Sequence, residues 1–170
     1  MGELLVLYGG TFDPVHDGHL AIARCASEAL SAEVHLMPAG EPPHRARPGA
    51  SAGDRVAMLR LALRDEPRLR LDLRELEREE PSWTVDTLRA LRREIGSDRP
   101  VALLVGADSF GGLPGWKEWE SLFSLAHFVV ASREGTAPGV VRPEALEHAL
   151  EGRVAASAVE LRLAAAGRVL

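Results

Sequence analysis

Cysteine, lysine and long apolar runs are scarce in this sequence of 170 residues. Cys25 is the single cysteine, which excludes an internal disulfide framework and leads us to expect a reducing compartment, the cytoplasm. No apolar run approaches the roughly 20 residues that span a bilayer. The first residues also lack the basic segment that opens a secretory signal. We therefore expect a cytoplasmic protein that does not engage a membrane.

A surplus of positive charge is also lacking. The chain has 20 lysines and arginines against 25 acidic residues, a net charge of −5 at pH 7. Nucleic-acid-binding proteins usually carry a basic surplus or stripe, so the composition disfavours a nucleic acid as partner. Lys117 is the only lysine. An anionic ligand would therefore have to be held by a local cluster of other donors.

Hydrophobic patterning predicts strands alternating with helices along the whole chain. The length suits one domain, residues 1–170, and the alternation predicts an α/β doubly wound parallel sheet. A charged segment at 75–80 is expected to be a solvated loop, and Arg55 is assigned to packing and salt-bridging. The expected strands are 4–8, 34–37, 69–73, 101–105 and 128–131; the expected helices are 18–30, 51–66, 84–95, 117–125, 144–150 and 157–166.

Ligands of doubly wound sheets bind at the carboxyl ends of the strands. In this chain those ends fall at 9–12, 38–45, 106–109 and 132–133, and the unusual residues collect there. This coincidence predicts a ligand-binding protein.

The stretch GGTFDPVHDGH at 9–19 is the most informative of these strand ends. It joins a strand to a helix through a glycine-containing turn, where backbone N–H groups and the helix dipole converge on an anion. His16 and His19 would add side-chain donors. Helix capping by the two histidines, or a metal pair assisted by Asp13 and Asp17, are the alternatives. The Lys-Ser/Thr pair of a Walker loop is missing.

This stretch matches the pattern G-x-F-x-P-x-H-x-G-H of the nucleotidylyltransferase superfamily. Four further segments resemble those of bacterial nicotinate-nucleotide adenylyltransferases, in the same order and over nearly the whole chain. They are PPHR at 42–45, SWTVDTL at 82–88, GADSF at 106–110 followed by Leu113 and Trp116, and VVASR at 129–133.

The resemblance implies a Rossmann-like fold and adenylyl transfer from ATP to nicotinate mononucleotide, with Mg²⁺ bridging the ATP phosphates. It implies a catalytic role for His16 and His19 and no protein nucleophile. The implied ATP-binding residues are Gly9, Gly10, Thr11, Phe12, His16, His19, Gly106, Asp108, Ser157 and Arg162. The implied nicotinate mononucleotide-binding residues are His44, Arg45, Thr84, Asp108, Trp116 and Arg133.

The C-terminal motif departs from the family pattern I-S-S-T-x-I-R. Its best counterpart at 156–162 keeps Ser157 and Arg162 but has Ala158 and Val159 where the family has hydroxyl donors. We expect residues from about 154 to 170 to complete the ATP site, although Ser157 and Glu160 also fit a capping box. A phosphopantetheine or other small-molecule nucleotidylyltransferase, and a catalytically weak nucleotide-binding protein, remain alternatives. A homo-oligomer and the choice between acid and amide substrate are left open.

Overall fold

The computed structural model describes residues 2–40, 48–132 and 142–170. His44, Arg45 and Arg133 of the predicted site lie outside these ranges. The strands are β1 (Leu5–Gly10), β2 (Val34–Pro38), β3 (Leu69–Leu71), β4 (Val101–Gly106) and β5 (His127–Ala131). The helices are α1 (Asp17–Leu30), α2 (Ala52–Ala62), α3 (Thr84–Ile95), α4 (Ala107–Gly111), α5 (Trp119–Leu125) and α6 (Glu144–Leu150), with 3₁₀ turns at Leu113–Gly115 and Glu160–Arg162.

The five strands form one sheet in the order β3-β2-β1-β4-β5, with every neighbouring pair parallel. The predicted doubly wound sheet is confirmed. The strand order reverses between β1 and β4, which is where ligands bind in such sheets. Gly10 pairs in register with Pro38, and Gly106 with Ala131. The carboxyl ends of four strands therefore meet at one edge.

Apolar side chains cover both faces of the sheet. Val6 of β1 packs with α1 and α2 on one face, and Leu7 packs with α3, α5 and α6 on the other. Both side chains are fully buried. A strand buried on both faces needs an unbroken apolar run rather than alternation, which is the pattern of β1 and β4. No helix among the described residues is long and apolar enough to cross a membrane.

The C-terminal segment differs from its prediction. The helix expected at 157–166 is wrong, because only Glu160–Arg162 forms a 3₁₀ turn. The chain then runs beside β5, where Phe128 N–H donates to Arg168 O at 2.8 Å and Leu170 N–H donates to Phe128 O at 2.9 Å. The interval 106–116, expected to be a loop, contains α4 and a 3₁₀ turn.

The segment 75–80 is a loop with Glu77, Glu79 and Glu80 exposed, as predicted, but Glu75 at its start is only 5% exposed. Its carboxylate accepts a hydrogen bond from the Thr87 hydroxyl of α3 at 2.8 Å. A charged sequence pattern does not reveal such a partner, which lies on the next helix.

Candidate active site

A buried aromatic ring fixes the loop that joins β1 to α1. Phe12 has a φ of 50° and is 2% exposed. Its ring meets those of Tyr8 and His19 edge-on, with centroids 5.6 Å and 4.9 Å away. A Cβ atom on Gly10 would lie 3.1 Å from the Cζ atom of Phe12, tighter than ordinary contacts. A larger residue at Gly10 would therefore have to displace this buried ring by a few tenths of an ångström.

His16 and His19 form a reciprocal cap on the first turn of α1. Nδ1 of His16 accepts the N–H of Gly18 at 3.1 Å, and Nδ1 of His19 accepts the N–H of His16 at 3.2 Å. The two rings stack with centroids 3.8 Å apart. Because both Nδ1 atoms act as acceptors, the proton of each neutral imidazole lies on Nε2. The capping alternative is therefore correct, and in this tautomer Nε2 is the donor atom of each ring.

A cavity of about 180 Å³ opens at the carboxyl edge of the sheet. Gly9 and Gly10 at the end of β1 and Thr11 just after it line the cavity. Thr84 and Trp116, two residues predicted to bind nicotinate mononucleotide, line it as well. Sequence reasoning did not assign the other side chains of this lining to a site. They include Met37, Ala39, Glu75, Ser82, Trp83 and Lys117.

The first turn of α3 forms one wall of the cavity. Trp83 is the N-cap residue and makes no side-chain cap bond. The first N–H groups of a helix have no partner within that helix, and the dipole concentrates positive charge there. Lys117 adds a cation whose Nζ lies 5.6 Å from the centroid of a Trp83 ring and 2.8 Å from Oδ2 of Asp86. This wall suits an aromatic ligand that carries an anionic group.

Glu75 supports the same wall from within the protein. Burial raises the pKa of its carboxyl group, although hydrogen bonds from Thr87 and Ser82 oppose that shift. The Ser82 hydroxyl also accepts the N–H of Gly40 at 3.0 Å. This network joins the end of β2 to the approach of α3, and so links two parts of the cavity lining.

The remaining predicted residues lie elsewhere. Gly106 and Asp108 stand at the carboxyl end of β4 but not in the cavity lining, and Asp108 is exposed. Ser157 is exposed and lies three residues before the 3₁₀ turn at Glu160–Arg162. The roles of Gly106 and Asp108 in binding ATP stay predictions. The helix predicted to carry Ser157 does not form.

Arg162 does not fit its predicted role in binding ATP. Its Nη2 donates to Leu30 O at 2.8 Å and to Ser31 O at 3.2 Å, at the C-terminal end of α1. The histidines are at the opposite end of this 14-residue helix, about 20 Å away at the usual rise per residue. A cation at a helix C-terminus satisfies the last carbonyl groups and the dipole, which explains the position.

A family model described as cytidylyltransferase-like matches residues 7–162. The probable nicotinate-nucleotide adenylyltransferase of Stenotrophomonas maltophilia is 55% identical over 100% of this chain and 79% of its own length. That of Marinobacter nauticus is 47% identical over 97% of this chain and 76% of its own length. A Xylella fastidiosa relative of the same name is 52% identical, and the chain spans 63% of its length.

Solved structures share the fold. A nicotinic acid mononucleotide adenylyltransferase of Plasmodium falciparum, complexed with NaAD, superposes with a TM-score of 0.67 at 19% identity, covering 78% of this chain and 66% of that one. A structure from Vibrio parahaemolyticus gives a TM-score of 0.65 at 14% identity, covering 95% and 92%. At these identities the likeness establishes the Rossmann-like architecture.

Proposed function

Because the chain belongs to the nicotinate-nucleotide adenylyltransferases of the cytidylyltransferase-like family, we propose that it joins nicotinate mononucleotide to the AMP part of ATP. The products are nicotinate adenine dinucleotide and pyrophosphate, and the reaction is a step of NAD biosynthesis. The observation that carries the proposal is the cavity where the loop after β1 meets Thr84 and Trp116. A phosphate-binding loop and an aromatic, positively polarised wall are what the two substrates require.

The reaction needs no protein nucleophile. An oxygen of the nicotinate mononucleotide phosphate, already an anion, attacks the α-phosphorus of ATP. A new P–O bond forms as the bond from the α-phosphorus to the bridging oxygen breaks, and pyrophosphate leaves with that electron pair. The protein contributes position and stabilisation of the charge that develops on the phosphates.

We assign the phosphates of ATP to the start of α1. Nε2 of His16 and His19 supplies two donors, and the backbone of Gly9, Gly10, Thr11 and Phe12 lies at the same strand end. The positive end of the α1 dipole attracts the same anion. His19 lies against the ring of Phe12, so its imidazole is held in place before the substrate arrives.

We assign the nicotinate ring and its carboxylate to the wall formed by Trp116 and the first turn of α3. Trp116 offers a flat partner for the pyridine ring. The N–H of Thr84 and the Lys117 ammonium favour a carboxylate over a neutral amide. His44, Arg45 and Arg133 stay predicted donors to the nucleotide phosphate, and Asp108 a predicted partner of a ribose hydroxyl.

Mg²⁺ is proposed to enter with ATP. This ion prefers oxygen ligands and keeps several bound waters. Phosphate oxygens therefore suit it, and the imidazoles of His16 and His19 do not. The described residues contain no group of three or more metal-binding side chains. A cytoplasmic location and the absence of a nucleic-acid partner are likewise proposals, supported by the single cysteine and the net charge of −5.

A pyrophosphate-release assay tests the function. The chain is incubated with ATP and Mg²⁺ plus, in separate reactions, nicotinate mononucleotide, nicotinamide mononucleotide or phosphopantetheine. We expect kcat/KM to be highest for nicotinate mononucleotide, and we expect no release with phosphopantetheine. Release with phosphopantetheine alone would identify the rival transferase. Silence with all three acceptors would favour a nucleotide-binding protein without turnover.

A further inference from the structure

Arg55 of α2 is a deeply buried cation near the candidate site. It is 2% exposed, and it makes no ion pair with a carboxylate in the parts of the chain that the structure describes. Taking an arginine out of water without a carboxylate partner is costly, and arginine does not escape by losing its proton. The packing and salt-bridging role expected from the sequence therefore does not explain why this arginine is buried.

One nitrogen of Arg55 joins two walls of the cavity. Nη1 donates to Thr11 O at 2.8 Å and to Ala39 O at 2.9 Å. Thr11 belongs to the loop after β1 and Ala39 follows β2, and both residues line the cavity. Ala39 N–H also donates to Gly10 O at 2.8 Å. The guanidinium thus fixes the separation of the two strand ends at the site.

The same contacts orient two peptide groups at the edge of the cavity. A trans peptide is planar, so its N–H points opposite to its carbonyl. When Thr11 O is held by Arg55, the N–H of Phe12 is directed away from Arg55. When Ala39 O is held, the N–H of Gly40 is directed to the Ser82 hydroxyl, which it meets at 3.0 Å. Arg55 therefore sets the direction of a backbone donor in the loop assigned to phosphate.

We propose that Arg55 is a positioning residue for adenylyl transfer, a buried cation that holds the Thr11 and Ala39 carbonyl groups and so aligns the phosphate loop with the acceptor wall. The inference rests on the proposed function. Its fixed positive charge also complements the phosphates that bind on the other side of the loop.

The test compares R55M with R92M and R55K. Arg92 is a matched control, because it also donates to backbone carbonyl groups, of Leu125 at 2.7 Å and Ala165 at 2.8 Å, but near the C-terminal end of α3. Kinetic constants for ATP and nicotinate mononucleotide are measured for each variant, together with thermal unfolding.

We expect R55M to lose about 10- to 100-fold in kcat, the effect of a small misplacement of reacting groups. R92M should unfold at a lower temperature but keep the kcat of the parent chain. R55K keeps the charge and can still donate to both carbonyl groups, so it should recover part of the loss. If R55M does not fold, R55K is compared with R92M instead. The proposal then requires that the kcat of R55K be lower than that of R92M.

Three results would overturn the proposal: an R55M variant within about twofold of the parent, an equal loss of kcat in R92M, or an R55K variant no better than R55M. A parent chain that releases no pyrophosphate would instead contradict the proposed function. In that case calorimetry measures the affinity of the parent chain and of both variants for a non-hydrolysable ATP analogue. We expect R55M to bind the analogue more weakly than R92M does. Equal affinities, or binding by neither variant nor parent, would overturn the role of Arg55.

Discussion

Single side chains at the start of α1 show that two roles presented by the sequence as alternatives are compatible. Nδ1 of His16 and of His19 each accept a backbone N–H, which caps the helix. The same bonds place the proton on Nε2, where it can be donated to an anion. Capping and phosphate binding are compatible because an imidazole has two distinct nitrogen atoms.

At this scale we predict that His19→Ala lowers kcat by about 10² to 10³, the usual cost of removing one donor to developing charge. Pyrophosphate release at saturating ATP and nicotinate mononucleotide measures the effect. His148→Ala is the control, because that side chain is 70% exposed on α6. Turnover of the His19 variant close to that of the control would contradict the assignment.

In the segment between β3 and α3, one residue was predicted wrongly. The charges of the segment suggested a solvated loop, yet Glu75 is buried against Thr87 of α3. Burial raises the pKa of this carboxyl group above its ordinary value of 4.5. The folded state therefore favours the protonated form of Glu75. The stability that this group contributes is fully present below pH 4.5 and decreases as the pH rises through the raised pKa.

Replacing this carboxyl group by an amide should remove that pH dependence. We predict that, as the pH rises above 4.5, the free energy of unfolding of the Glu75→Gln variant falls less, or rises more, than that of the parent chain. Denaturant titrations at several pH values measure it. Glu77→Gln, on an exposed residue of the same segment, should keep the slope of the parent. Parallel curves for the parent chain and the Glu75 variant would contradict the prediction.

On the scale of the whole molecule, His127 attaches the C-terminal segment to the sheet. This fully buried residue begins β5; its Nε2 donates to Ala164 O at 2.9 Å, and its Nδ1 accepts the N–H of Arg168 at 2.9 Å. Both bonds together require the neutral imidazole. Burial lowers the pKa of His127 below 6.5, and burial does the same for His35 on β2.

A lowered histidine pKa in the folded state gives stability that is present above pH 6.5 and decreases as the pH falls below it. We therefore predict that the chain loses stability between pH 6.5 and 5, and that the His127→Gln variant loses less over that interval. Thermal unfolding across this range measures the difference, with His148→Gln as the control. His35 still titrates in both variants, so part of the acid loss should persist. An unchanged slope in the His127 variant would contradict this prediction.

Much of the fold follows from local sequence. The apolar runs of β1 and β4, the glycine loop at 9–12 and the first turn of α1 each lie within a few neighbouring residues, so periodicity and motif spacing define them. The parallel order of the strands follows from the alternation with helices. The family resemblance rested on the same local patterns, and the comparisons confirmed it.

The tertiary structure alone decided which distant residues meet. Arg162 contacts Leu30 across 132 positions of sequence, and Arg55 contacts Thr11 across 44. Local pattern carries no information about such contacts, because they depend on how the helices pack on the sheet. By itself the sequence determined the strands, the loop after β1 and the family, because these depend on local pattern. Packing decided that Arg162 lies at the far end of α1 and that Arg55 lies beneath the loop.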